Sequence, residues 1–131
     1  MINRWFREKV VKGDGSGKKI GFPTLNLDKQ KLEGKIKEGI YACLVRYKKK
    51  VYPGVLFYGP RLVTRESHNV LEIYVIDFDK NIYGRKIEYK VKNFIRKVKN
   101  FKDTKELREE IAKDVAKTLK LLTNTKVWYK I

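Results

Sequence analysis

Cysteine, histidine and acidic side chains are all scarce in this sequence. The single cysteine, Cys43, excludes an internal disulfide, and within Tyr41-Ala-Cys-Leu-Val45 it reads as a small buried hydrophobe rather than a nucleophile. The single histidine, His68, sits in Arg65-Glu-Ser-His-Asn69 with no second His, Cys or paired carboxylate at metal-ligand spacing. It reads as a solvated loop residue, and neither a zinc site nor a Ser-His-Asp or Cys-His set can be assembled around it. No apolar run has the length of a membrane span or a secretory signal. A cytoplasmic protein with no membrane partner is the expectation. Asp and Glu number 15 against 32 Lys and Arg, a formal net charge of +17. On a small β-rich chain such a surplus is also the footprint of a nucleic-acid binder. The lysines, however, run through almost every segment, as in Tyr47-Lys-Lys-Lys50 and Ile95-Arg-Lys-Val-Lys99, instead of clustering on one helix with interleaved aromatics. A solvating surface is the simpler reading, so no specific nucleic-acid partner is expected, although anionic substrates would benefit.

What is present fits a single domain over residues 1–131, long enough for a real core and too short for separate nucleotide and substrate domains. A monomer is expected. Up to about residue 100 the pattern is short alternating runs broken by turn signals, which predicts antiparallel sheet. Trp5 to Lys12 is the first strand. Tyr41 to Tyr47 and Val51 to Tyr58 flank three lysines and read as a hairpin, with Pro53 at an edge or bulge. Val70 to Phe78 is the strongest strand, and after a turn at Asp79-Lys-Asn81 the run Lys86 to Val98 is expected to pair back on it. The period then becomes helical. Leu107, Ile111, Val115, Leu119 and Leu122 make an apolar stripe behind a capping-box-like Asp103 and Glu106, and Thr125 to Ile131 reads as a tail strand or strap.

Chemistry concentrates in Gly13-Asp-Gly-Ser-Gly-Lys-Lys-Ile-Gly-Phe-Pro-Thr-Leu-Asn26. Gly13, Gly15 and Gly17 let backbone N–H groups converge on an anion, and Lys18 and Lys19 add charge to the same concavity. On its own such a run reads as readily as a turn between strands. It is not a Walker A element, because Lys19 stands where Ser or Thr is needed and Gly-Phe-Pro follows where a helix should begin. Thr24 and Asn26, two apart on an extended segment, project from one face, so their oxygens can approach one small cation together. Without the neighbouring loop they would read as surface residues of a strand. Beside it, they suggest a magnesium-nucleotide. Glu72 is the third element. Leu71, Ile73 and Val75 form the apolar core face of their strand, while Glu72 shares the other face with Val70, Tyr74, Ile76 and Phe78. If the helix or an aromatic ligand covers that face, Glu72 is partly desolvated and suited to accept a proton. A rim carboxylate paired with a lysine explains it equally well.

In order along the chain these residues resemble the riboflavin kinase family, the flavokinase that forms the carboxy-terminal half of many bacterial bifunctional FAD synthetases. Val10-Val-Lys-Gly-Asp-Gly-Ser-Gly17 resembles its first strand and glycine loop. Gly21-Phe-Pro-Thr-Leu-Asn26 is similar to its Gly-Phe-Pro-Thr-Ala-Asn signature, and Leu71-Glu-Ile-Tyr-Val-Ile-Asp-Phe78 to the strand of its catalytic glutamate. The resemblance implies a mostly β fold, a six-stranded antiparallel Greek-key barrel with a carboxy-terminal helix. It implies transfer of the ATP γ-phosphate to the riboflavin 5′-hydroxyl, giving FMN and ADP with Mg2+, or alternatively Mn2+ or Zn2+, as the metal. In that frame Gly13, Gly15, Gly17, Lys18 and Lys19 arch over the phosphates and Thr24 and Asn26 hold the metal. Glu72 is the catalytic base, Val75, Asp77, Ile82 and Tyr83 line the adenine end, and Arg96 and Phe101 lie at the flavin end. Glu8, Lys12, Val98 and the segment Gly54 to Val63 depart from the family pattern. With no room for an adenylyltransferase, the chain is expected to stop at FMN unless it is a piece of a longer protein. The alternatives are a small basic β-barrel that binds nucleic acid, and a catalytically degenerate flavin binder.

Overall fold

Alternation of apolar and polar residues produces six strands whose apolar sides face one another. The computed structural model describes residues 3–13, 15–60 and 68–123. The expected tail strand Thr125 to Ile131 and part of the divergent middle loop lie outside the described residues. In chain order the elements are β1 (Phe6–Val11), α1 (Ser16–Lys19), β2 (Leu25–Leu27), β3 (Gly39–Tyr47), β4 (Lys50–Pro60), β5 (Asn69–Val75), β6 (Lys86–Arg96) and α2 (Thr104–Thr123). The strands close into an antiparallel barrel in the order β1-β2-β5-β4-β3-β6. The expected barrel and carboxy-terminal helix are therefore present.

The barrel interior is filled by side chains from every strand. Phe6, Val10, Leu27, Tyr41, Cys43, Val45, Leu56, Leu71, Ile73, Ile87 and Tyr89 form one buried cluster. A barrel of this strand number has room for its own side chains and little else. Burial pushes the Cys43 thiol far above its ordinary pKa, consistent with an inert packing residue. A second, smaller cluster lies outside the barrel wall, where Ile40, Val55 and Ile76 are buried with Phe57, Tyr74, Ile95 and Val115 packed on them. It forms because α2 lies across β4, β3 and β6. The helix begins as expected, with Asp103 Oδ1 accepting from the Glu106 N–H at 2.8 Å.

Three expectations change. Lys86 to Val98 does not pair back on β5; β6 pairs with β1 and β3. The intervening segment is no hairpin, because Ile82 is buried in the core and the next residues are tied to β1, Gly84 N–H donating to Val10 O and Val10 N–H to Arg85 O. Phe78 does not share a face with Glu72 but packs on the interior, edge-on to Tyr47 and Tyr52. Asp77, at φ 58°, breaks the alternation just before it. The stripe of α2 is rotated, since Leu119 is exposed whereas Asp114 and Thr118 are buried. Pro53 sits within β4 of a closed barrel, yet its carbonyl accepts from Ile76 N–H just past the end of β5. Its missing N–H faces that gap, so it behaves as an edge proline.

Tyr89 is fully buried, and its hydroxyl has no hydrogen-bond partner among the described residues. A buried unpaired hydroxyl opposes folding. Tyr89→Phe, which keeps the ring stacked on Phe6, is expected to leave stability unchanged or raise it by about 1 kcal/mol in urea-melt measurements; a loss of that size would reveal a hidden partner.

Candidate active site

The short strand β2 brings the predicted residues together. Its register with β5 sets Leu25 opposite Ile73, Asn26 opposite Glu72 and Leu27 opposite Leu71. Leu27, Leu71 and Ile73 face the core, so Asn26 and Glu72 are outward-facing cross-strand neighbours, a separation of roughly 5 Å between Cβ atoms. Thr24 precedes the strand with the same parity, and its hydroxyl donates to Glu72 Oε1 at 2.7 Å. All three side chains are half-buried.

Loop glycines close over this trio for steric reasons. A Cβ on Gly13 would lie 2.1 Å from Asn26 Nδ2 and 2.6 Å from Oδ1, so loop backbone rests against the Asn26 amide. A Cβ on Gly17 would meet the Phe22 carbonyl at 2.4 Å and Thr24 Cγ2 at 3.5 Å. Phe22 N–H donates to Gly17 O at 2.8 Å. The expectation that no helix follows the glycines is corrected: Ser16–Lys19 makes one turn, α1, begun by left-handed Gly15 and ended at Ile20 before Gly21 at φ 90°. Lys18 and Lys19 are exposed on that turn.

Apolar rings occupy the other side of Glu72. Phe57 is its register partner on β4, and Tyr74, two residues along β5, meets Phe22 edge-on at 5.1 Å between centroids. Glu72 therefore stands on a boundary, with hydroxyl, amide and loop backbone to one side and aromatic rings continuing beneath α2 to the other. Phe22 is a contributor that strand alternation did not single out; its signal is its place between Gly21 and Pro23, on the segment that turns the loop back to Thr24.

The remaining predicted residues fall into two groups. Val75 and Ile82 are buried in the core, so a ligand would meet their backbone. Asp77 and Tyr83 are exposed. The Ile82–Arg85 stretch is bonded to Val10, at the root of the glycine loop. At the far end of β6, Arg96 is engaged by Asp114, Nε to Oδ1 at 2.9 Å and a terminal nitrogen to Oδ2 at 2.7 Å. Its guanidinium lies 5.7 Å from the Phe101 ring centroid. Lys99, bonded at 2.9 Å, holds the Glu110 carboxyl below its ordinary pKa, with Arg96 adding to the effect. Asp114, an acid inside the apolar stripe of α2, went unrecognised; its only sequence signal is its place between Ile111 and Val115. This segment approaches the site, because Val98 Cγ2 would be 3.0 Å from a Cβ on Gly59, and Gly59 pairs with Val70 on β5.

Among the described residues no group of three His, Cys, Asp or Glu side chains gathers. The ligand atoms gathered here are hard oxygens: the Thr24 hydroxyl, whose proton is directed at Glu72, and the Asn26 amide under the loop. Such a set fits a small oxygen-seeking cation that completes its shell with ligand phosphates.

The sequence matches the family model described as "Flavokinase: Riboflavin kinase" over residues 3–122. It is 37% identical over 112 residues to the "Trifunctional protein RibF/MnmA" of Mycoplasmoides gallisepticum, covering 84% of this chain and 17% of that protein. It is 36% identical over 108 residues to the "RNA-binding riboflavin kinase RibR" of Bacillus subtilis, covering 82% and 46%. The chain thus spans less than half the length of these relatives. Its fold is similar to the crystal structure of riboflavin kinase from Trypanosoma brucei, with TM-score 0.68 and 25% identity over 94% of this chain and 82% of that one.

The Arg96–Asp114 pair predicts a separate outcome. Asp114 is buried while Arg96 is only partly so, so Asp114→Ala leaves a cation with some access to water. The expected cost is roughly 3 kcal/mol, the low end for breaking a buried pair. Urea melts check it, and an unchanged midpoint would remove the pair as the tie between α2 and β6.

Proposed function

Because this chain belongs to the riboflavin kinase family, we propose that it transfers the terminal phosphoryl group of ATP to the 5′-hydroxyl of riboflavin, yielding FMN and ADP. The observation that carries this reading is the position of Glu72, hydrogen-bonded to Thr24 and opposite Asn26 on one side and beside Phe57 and Tyr74 on the other. A substrate with a flat apolar ring and a polar chain ending in a hydroxyl fits that boundary: ring against the aromatics, hydroxyl at the carboxylate, nucleotide phosphates under the loop.

Each residue then has a physical task. Backbone of the Gly13–Gly17 loop and the charges of Lys18 and Lys19 hold the phosphates. Thr24 and Asn26 would hold magnesium, which when bound neutralises phosphate charge; their all-oxygen character suits magnesium or manganese better than zinc. Glu72 orients the ribityl hydroxyl and accepts its proton as the hydroxyl oxygen bonds to the γ-phosphorus and the bond to the ADP oxygen breaks. The Thr24 hydrogen bond fixes one oxygen of Glu72 and so sets the orientation of the carboxylate toward substrate. Asp77 and Tyr83 flank the adenine, while Arg96 and Phe101 border the flavin, with Arg96 held in place by Asp114.

Incubation with riboflavin, ATP and magnesium, followed by chromatographic separation, should yield FMN. Folded protein that forms none refutes the proposal. Glu72→Gln is expected to lower kcat by roughly 10²-fold or more with the melting curve unchanged. Asn26→Ala should raise the magnesium concentration needed for half-maximal rate; an unaltered requirement would take Asn26 out of the metal site.

A further inference from the structure

The lysines that look scattered in sequence converge in space. On the outward side of β1, β6 and β3 the register sets Lys9 directly opposite Lys86, and Arg7 and Arg46 on either side of Glu88. Two lysines facing each other across a strand pair repel and disfavour the pairing. The adjoining hairpin turn holds Lys48 at φ 48° and Lys49 at φ 68°, left-handed conformations in which asparagine and glycine are relaxed and lysine is strained. Both features oppose stability, and both concentrate positive charge at one place. A hollow of about 280 Å³ there is lined by Arg7, Arg46, Lys48, Lys49 and Lys86, with Glu88 as the one acid in its lining. Glu88 is already engaged by Arg46 at 3.0 Å, which holds its carboxyl below the ordinary pKa. Trp5 adjoins this group, with the Arg46 guanidinium 4.1 Å and the Lys90 ammonium 5.9 Å from its ring centroid.

Most of these cations stand apart from the candidate active site. In the barrel order, β3 and β6 lie across from β2 and β5, so Arg46, Lys48, Lys49, Lys86 and Lys90 are remote from Asn26 and Glu72, while Arg7 and Lys9 lie on β1, the strand next to β2. From Lys86 to Lys90 the charge extends roughly 13 Å along the strand, longer than a single phosphate group. Of the large exposed hydrophobics among the described residues, Tyr83 and Leu119 lie off these strands and Val11 stands alone at the end of β1, a single aliphatic side chain rather than the apolar face that a lipid surface needs. Extended positive charge beside an aromatic ring on a barrel wall is the combination that holds a flexible polyphosphate chain with bases. We propose that the outer face of β1, β6 and β3 around Trp5 is a binding surface for single-stranded nucleic acid. Arg7, Lys9, Lys48, Lys49 and Lys86 contact successive phosphates, and Trp5 with Arg46 supplies the stacking contact.

Fluorescence anisotropy of a labelled 12-nucleotide single strand tests this at several salt concentrations. Binding should weaken as salt rises, with a log–log slope near −0.7 per phosphate contacted. The pair Lys9→Ala and Lys86→Ala should weaken binding at least 10-fold and make the slope shallower by about 1.4, and Trp5→Ala should weaken it by a further factor of about 5 or more. FMN formation, where present, should be unaffected by Trp5→Ala, a change just before β1 at the end of the strand away from the glycine loop, and this separates the proposal from the kinase reading. The control pair Lys113→Ala and Lys117→Ala on α2 removes the same charge from another exposed surface. Equal weakening by the control, absence of binding at low salt, or tighter binding to phosphatidylserine vesicles than to the oligonucleotide would each overturn the proposal.

Discussion

Closure of the barrel depends on three residues. Leu25–Leu27 is paired to β1 on one side and to β5 on the other; without it, both neighbours would present unpaired backbone to water. The same residues create the candidate site, because the register that puts Leu27 opposite Leu71 in the core also puts Asn26 opposite Glu72 outside it. A slip of one residue would turn Asn26 inward and Leu27 outward, so burial of the leucine enforces the position of the amide. Pro23 and the glycine-bonded Phe22 fix the approach to this strand, and Thr24 reaches Glu72 from it. Fold closure and site assembly are one event.

A small closed barrel then dictates where chemistry can occur. Its interior is filled by Tyr41, Tyr89, Leu56, Ile73 and their neighbours, so a ligand must use the outer wall. A bare outer wall is wet and nearly flat. Two additions make it otherwise: the glycine loop folded against Asn26 and Phe22, and α2 laid over β4, β3 and β6. Between them a strip of β5 is partly shielded from water on both sides, and Glu72 occupies that strip. Shielding strengthens the electrostatic contacts that phosphoryl transfer relies on, and the asymmetry of the two covers, one polar and one aromatic, orients a substrate with two unlike ends.

Much of this was legible in the sequence because short-range rules govern it. Alternation identified Leu71, Ile73 and Val75 as core and left Glu72 facing out; spacing put Thr24 and Asn26 on one face; the change of period located α2 and its Asp103 cap. What escaped depended on contacts between distant segments. The partner of β6 could not be read from Asp79-Lys-Asn81, which looks like a hairpin turn until Ile82 is seen to plug the barrel end. Leu119 fits a helical stripe, but the surface that α2 meets includes Arg96, so the buried face turns toward Asp114. Phe78 lost its expected face to one left-handed residue, Asp77. In the loop, the glycines read as room for an anion against the backbone or as a turn, whereas Gly13 and Gly17 are also needed because Asn26 and Phe22 leave no room for a side chain.

Charge shows the same limit of one-dimensional reading. Residues 7, 9, 46, 48, 49, 86 and 90 are dispersed along the chain, yet three adjacent strands and one turn bring them side by side; Lys18 and Lys19 belong to the loop that joins β1 to β2, across the barrel from β3 and β6. Facing walls of a sheet are roughly 10 Å apart, and outward side chains add to that distance. The Debye length at physiological ionic strength is about 8 Å. An anion held on one wall is therefore largely screened from the other, and the two regions act as separate electrostatic sites that share only the long-range attraction of a strongly cationic molecule for anions. Neutralising the cations of β6 and β3, across the barrel from β2 and β5, leaves the field at the glycine loop set by Lys18, Lys19 and the loop's own N–H groups. A surplus of positive charge can thus accumulate on one side of the barrel without altering the balance that a phosphoryl-transfer site needs on the other.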